Sequence, residues 1–316
     1  MGCINAWISA RIWHSLWRPF DIPIRSPHFV ISPPLAISET FGLAYAGDSI
    51  VAIVAGQLAG AMAGARGPTG PFELSTGFLL AGGLLTSLLW KENKAESSGD
   101  DGEGKQPTIR DAVNVMKKDK KIMLVGATQA LFEASMYIFV LQWPPAISKA
   151  IGGAFGSGAA TPYGTIFSCF MASCLLGSTI FGQLISRGVA TESFMAAMLG
   201  IGTLAMGAAT FASNAAAAPL ALLVAAFFVF EACVGCYFPS IGTLRGKYLP
   251  DSHRSILMNL FGIPLNALVV TVFLSIKKLG VSGALSVSTG ALGVATASML
   301  ALKRLASKDE SKTADA

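Results

Sequence analysis

The sequence predicts an all-α polytopic membrane protein of about eight transmembrane helices, and three observations carry that prediction. Of 316 residues 53% are hydrophobic and only 13% charged, and the mean hydropathy is +0.58, well outside soluble globular composition. Apolar runs at about 41–65, 72–90, 122–142, 163–186, 194–212, 217–240, 255–276 and 279–302 each approach the roughly 20 residues a helix needs to cross a bilayer. The runs are rich in Gly, Ala and Ser, which let helices pack closely in lipid.

Charge then orients the chain. The loop from Lys91 to Lys121 holds eight Lys and Arg, and the loops on its side add Arg187, Arg245, Lys247, Arg254, Lys303, Arg304, Lys308 and Lys312. The opposite side keeps Arg66, Lys149, Lys277 and Lys278. This positive-inside asymmetry predicts a cytoplasmic central loop and C-terminus. The net charge of +5 is therefore topological, and without a basic stretch interleaved with aromatics it does not point to nucleic acid.

Element by element, residues 1–37 are left unassigned. "MGCINAWISARIWHSLWRPFDIPIRSPHFVISPPLA" is broken too often by Pro to span a membrane and lacks a signal-peptide core. Its "MGCINA" opening departs from a myristoylation signal at Ala6. Residues 38–90 form two helices, with Ser38 and Thr40 as caps and Gly56, Gly60 and Gly64 as a smooth packing ridge. Trp90 closes the second at the interface. Residues 91–121 form a cytoplasmic linker, disordered to Pro107 and then a short surface helix in "TIRDAVNVMKKDKK", capped by Thr108. Residues 122–303 form a six-helix bundle and 304–316 a cytoplasmic tail. Cys233 and Cys236 make a C-x-x-C inside an apolar run, with no His beside it, and read as packing residues; no cofactor or metal is expected, nor an enzyme.

The polar residues inside the runs are the candidate pathway. "LFEASMYIF" and "VFEACVGCY" each place a Phe-Glu-Ala triplet in apolar sequence. A carboxylate at a helix centre costs roughly 2.5 to 3.5 kcal/mol on insertion scales, so Glu133 and Glu231 require interior partners or a water-filled cavity. Gln129, Glu133 and Tyr137 follow at i, i+4 and i+8 as one polar stripe. Asn259 and Asn266 share a face around Pro264, which should kink its helix. Asp48 is a third intramembrane acid. Pro239 is expected to end its helix, leaving Arg245 and Lys247 at the cytoplasmic mouth either as a gate or snorkelling to the interface; Arg187, in the earlier cytoplasmic loop, is the other gate candidate.

A long central loop followed by six helices resembles the joint between the bundles of major facilitator transporters, and "FGQLISRG" resembles their degenerate turn motif. A more specific resemblance runs through "SETFGLAYAGDSIVAIVAG", "LFEASMYIFVLQWPPAI", "GTIFSCFMASCLLGS", "FFVFEACVGCYFPSIGTLRGKYLP" and "RSILMNLFGIPLNALVV". These segments are similar to the molybdate-anion transporters of that superfamily, from Ser38 to about Lys303.

The resemblance implies a partial major facilitator fold: two helices of the N-terminal bundle and the complete C-terminal bundle, with four helices preceding them in the full fold. It places Glu133 and Glu231 at equivalent positions of two inverted three-helix units, near one another at mid-depth. Gly262 stands where the family pattern carries a basic residue. The implied activity is secondary active uptake of molybdate or a related oxyanion, with protons as coupling ion. Anion contacts would come from Tyr137, Asn259 and Asn266, the partner phase is the lipid bilayer, and the plasma membrane is the expected location. The alternatives are a facilitator of another anion or small solute, and a non-transporting membrane scaffold.

Overall fold

The computed structural model describes residues 33–90, 108–156, 158–215 and 219–314. The readings made for residues 1–32 and 91–107 lie outside the described residues. Eight α-helices follow in order: α1 Pro33–Arg66, α2 Gly70–Leu89, α3 Ile109–Lys118, α4 Lys120–Phe155, α5 Tyr163–Ser186, α6 Thr191–Asn214, α7 Leu220–Tyr248 and α8 Arg254–Ala314, the last preceded by a 3-10 turn at Asp251–His253.

Among the described residues seven helices are long and apolar enough to cross a membrane, the last spanning 251–309. The sequence shows eight runs because α8 is two helices joined at Gly280, whose φ of 64° and ψ of −175° break the helical path. At about 1.5 Å per residue the whole of α8 would reach roughly 90 Å, three times a bilayer core of about 30 Å. It therefore makes two passes, with Lys277 and Lys278 beside the turn.

Three boundaries differ from the sequence-based expectation. Ser38 and Thr40 lie inside α1, whose described residues run from Pro33, and are therefore not caps. α4 continues beyond residue 142, through Pro144 and Pro145, to Phe155. α7 continues through Pro239 to Tyr248. A proline removes one backbone hydrogen bond, a loss that surrounding helices and hydroxyls offset in a bundle. Ser240 Oγ donates to the Cys236 carbonyl at 2.7 Å and Thr243 Oγ1 to the Pro239 carbonyl at 2.9 Å, while fully buried Ile241 and Leu244 anchor the extra turns. Pro264 likewise lies within α8, whose dihedrals leave the helical region only at Gly280.

α4 and α6 pack on α8, and α5 and α6 on α7; α1 lies against α5 and α7, with α2 touching α1. Small residues make the closest approaches. Gly56 and Gly60 of α1 meet Gly164 of α5, whereas Gly64 faces open space. Hydroxyl pairs tie the helices further, with Thr203 to Thr296 at 3.1 Å, Thr210 to Thr289 at 3.2 Å, and Ser135 and Ser288 each donating to the other's carbonyl. Cys233 and Cys236 are buried, their thiols directed at the carbonyls of Met198 and Gly177. At one end of the bundle α3 lies across α4 and α8, started by a reciprocal capping box between Thr108 and Asp111. α2 keeps Phe72, Leu79 and Leu89 more than 70% exposed, as lipid-facing residues would be.

Candidate transport site

The continuation of α7 past Pro239 decides the site. Tyr237, Ile241 and Arg245 are spaced by four residues and share a face, and that face turns to α4. Arg245 lies three residues before the end of α7, yet its guanidinium reaches Glu133, about 20 Å along α4 from Lys120 at 1.5 Å per residue. Arg245 Nη2 donates to Glu133 Oε1 at 3.0 Å, and Nε donates to Gln129 Oε1 at 3.0 Å. Tyr237 Oη donates to the same Glu133 oxygen at 2.9 Å. Both charged side chains are mostly buried, 18% exposed for Glu133 and 19% for Arg245. Among the described residues Arg245 Nη1 and Glu133 Oε2 make no hydrogen bond, so each partner keeps one polar edge for something else.

An aromatic column keeps this network in place. The Phe132 ring stacks on Tyr237 with centroids 4.0 Å apart, and Phe230, Phe139, Phe227 and Phe170 continue the contact series between α4, α5 and α7. Gly126, one turn below Gln129, yields its side-chain space to the Phe261 ring, which would come within 2.2 Å of a Cβ there. A cation and a carboxylate surrounded by such walls interact far more strongly than in water.

The two repeated carboxylates have different surroundings. Glu133 is ion-paired, whereas Glu231, 6% exposed on α7, has no hydrogen bond or ion pair among the described residues. Tyr237, Glu133's partner, lies six residues further along α7, about 9 Å in axial rise. Glu231 instead lies beside the α5–α7 contact, where Ala232 and Gly235 meet Gly177 and Cys174.

The other predicted positions do not join the network. Tyr137, one turn beyond Glu133, is 49% exposed and makes no hydrogen bond among the described residues, so it does not join Gln129 and Glu133. Asn259 and Asn266 are exposed on α8, and Asn266 Nδ2 donates to the Gly262 carbonyl at 2.8 Å. Asp48 is exposed on α1, and Arg187, exposed at the end of α5, makes no ion pair among the described residues. Arg245, the other expected gate residue, lies near the end of α7 with its guanidinium mostly buried and turned to Gln129 and Glu133 of α4.

Sequence reasoning missed Tyr237 and a second polar cluster. Glu192, 6% exposed in the first turn of α6, accepts from Lys247 Nζ and Tyr248 Oη of α7, both at 2.6 Å. Lys121 and Lys247 lie over the Tyr248 ring at 5.9 and 5.4 Å. An acid at a helix start reads in sequence as a dipole complement, which hides its tertiary partner.

Comparison with known proteins agrees with this architecture. A family model described as sugar transporters with 12 transmembrane segments matches residues 31–234, more than half of the chain. The chain is 28% identical to the molybdate-anion transporter of Xenopus tropicalis over 236 residues, covering 73% of this chain and 49% of that protein. It is 28% identical to that of Takifugu rubripes over 265 residues (73% and 51%) and 27% identical to that of Xenopus laevis over 272 residues (84% and 54%). The chain thus spans about half the length of the curated relatives it matches. Among solved structures, a bacterial homologue of the iron transporter ferroportin in an outward-facing state aligns with a TM-score of 0.60 at 15% identity, covering 86% of this chain and 65% of that one. The Escherichia coli fucose:proton symporter aligns with a TM-score of 0.53 at 16% identity, covering 76% and 57%. Apolar helices, fold and family match together make this an integral multi-pass membrane protein, and the chain belongs to this 12-segment transporter family of the major facilitator superfamily.

Proposed function

We propose that this chain forms the C-terminal bundle and part of the N-terminal bundle of a secondary transporter for molybdate or a similar tetrahedral oxyanion. It is a transporter and not an enzyme. The carrying observation is Arg245, a cation inside an apolar bundle whose Nη1 edge is unengaged among the described residues. A guanidinium offers paired donors matched to an oxyanion, and Gln129 and Tyr237 add polar groups alongside. Gly262, where the resemblance leads one to expect a basic residue, has Asn266 Nδ2 near its missing side chain, at 3.8 Å; Arg245 is a mostly buried cation that can serve in its stead. The names of the vertebrate relatives support molybdate as the solute.

In this reading Glu133 is the counter-charge that the anion must displace. An arriving dianion competes with Glu133 for Arg245 and would be repelled by a second ionised acid. Glu231, buried without a charged partner, suits the proton-binding role, so that proton entry accompanies anion entry. Alternating access then requires the C-terminal bundle to rock against the N-terminal one, with α1 carrying Asp48 and Ser49 at that junction.

The test is radiolabelled molybdate uptake into proteoliposomes, with this chain and a full-length relative side by side and unlabelled sulfate as competitor. Arg245→Gln should abolish uptake in any competent preparation, and Glu231→Gln should flatten its pH dependence while Glu133→Gln leaves that dependence in place. Unchanged uptake in Arg245→Gln would sink the oxyanion site. No uptake by this chain alongside normal uptake by the relative would instead favour a non-transporting membrane scaffold.

A further inference from the structure

At the end of the bundle where α3 lies, the start of α4 and the last turns of α8 leave a groove of about 370 Å³. Its floor is apolar, made of Met123, Leu124, Ala301 and Leu305. Its rim is cationic, with Lys120, Arg304 and Lys308. The neighbouring acids are already engaged: Asp119 accepts from the Lys121 amide at 2.8 Å in capping α4, and Asp309 is ion-paired to Lys121. Among the described residues Lys120 and Arg304 have no ion-pair partner.

A free inorganic anion would want polar donors on every side, and this floor offers none. A ligand matching both halves of the groove must itself be half anionic and half hydrocarbon. We propose that the groove binds an anionic phospholipid, its phosphate between Lys120 and Arg304 and an acyl chain along Met123 and Leu305. The groove sits at the helix ends, where headgroups and chains meet, and on the positive-inside reading it opens to the cytoplasmic leaflet, the anionic one. α3 adds Lys117 and Lys118 in its last turn, which raises the local concentration of anionic lipid without lining the groove.

Native mass spectrometry of the full chain in neutral detergent, titrated with phosphatidylglycerol or phosphatidylcholine, tests this. Phosphatidylglycerol should be retained selectively, and Lys120→Gln with Arg304→Gln should weaken it about thirtyfold, the worth of two cations at a membrane surface. Lys117→Gln with Lys118→Gln removes the same charge outside the groove and should change binding by no more than about twofold. Met123→Trp, which fills the groove at an exposed position without altering charge, should also release the lipid. Equal retention of phosphatidylcholine, or equal weakening by the α3 pair, would overturn the proposal. Displacement of the lipid by soluble glycerol phosphate would overturn it too, since that marks a simple phosphate site.

Discussion

Gly235 of α7 faces the backbone of Cys174 on α5 so closely that a Cβ there would lie 1.9 Å from the Cys174 carbonyl oxygen. The contact is reciprocated about one turn away in the pair, where a Cβ on Gly177 would lie 1.9 Å from the Ala232 carbonyl oxygen. The two helices therefore cross backbone to backbone over the turn of α7 that follows Glu231. Gly235→Ala or Gly177→Ala should force them apart and destabilise the bundle by at least the roughly 1 to 3 kcal/mol of an overpacked core. Gly182→Ala, with nothing within 4 Å of its Cβ, is the control. Thermal unfolding of the purified variants reads the difference, and an unshifted Tm in Gly235→Ala would contradict the crossing.

Breaking the Glu133–Arg245 pair from one side should cost more than removing both charges. Arg245→Gln leaves a mostly buried carboxylate without its cation, a loss of about 3 kcal/mol, the lower end for buried pairs because each side chain keeps nearly a fifth of its surface. The double variant Glu133→Gln/Arg245→Gln should recover part of it. A double-mutant cycle on unfolding free energy gives the coupling, and strict additivity would show that the pair does not interact.

Glu192→Ala removes the acceptor of both Lys247 and Tyr248. Hydrogen bonds to a charged group contribute about 1.5 to 3 kcal/mol, so the α6 start and α7 end should open locally. Amide exchange over 191–195 and 245–249 should accelerate, while exchange at Phe132 and Phe139 stays slow.

The start of α3 should be pH-sensitive. Hydrogen bonds from the Thr108 hydroxyl and amide, at 2.6 and 3.1 Å, hold the Asp111 carboxyl below the usual carboxylate range. A depressed folded-state value means the cap is fully present above the unfolded carboxylate pKa and is lost as pH falls through the lowered one. Amide exchange at 109–113, corrected for intrinsic pH dependence, should rise in that acid window, and Asp111→Asn should flatten the response.

Much of the fold was legible in the sequence because lipid imposes length: apolar runs of about 20 residues mark crossings whatever their packing. Thr108 and Asp111 announced α3 for a similarly local reason. The site was legible only in part. Gln129 and Glu133 stood out as a polar pair on one turn, yet their partner Arg245 lies more than 100 positions away, beyond a proline that reads as a helix end. Tyr137 and Asn259 carry the right chemistry but stay outside the network, which spacing along a single helix does not resolve. Glu133 and Glu231 share a triplet but not an environment, because neighbours on other helices set whether a carboxylate is paired.

The two turns of α7 beyond Pro239 hold a further consequence. Arg245 and Lys247 are two residues apart, about 200° around the helix, and they grip Glu133 of α4 and Glu192 of α6. The end of α7 is thus a shaft clamped from opposite sides. Rotation about its own axis in either direction strains both clamps at once.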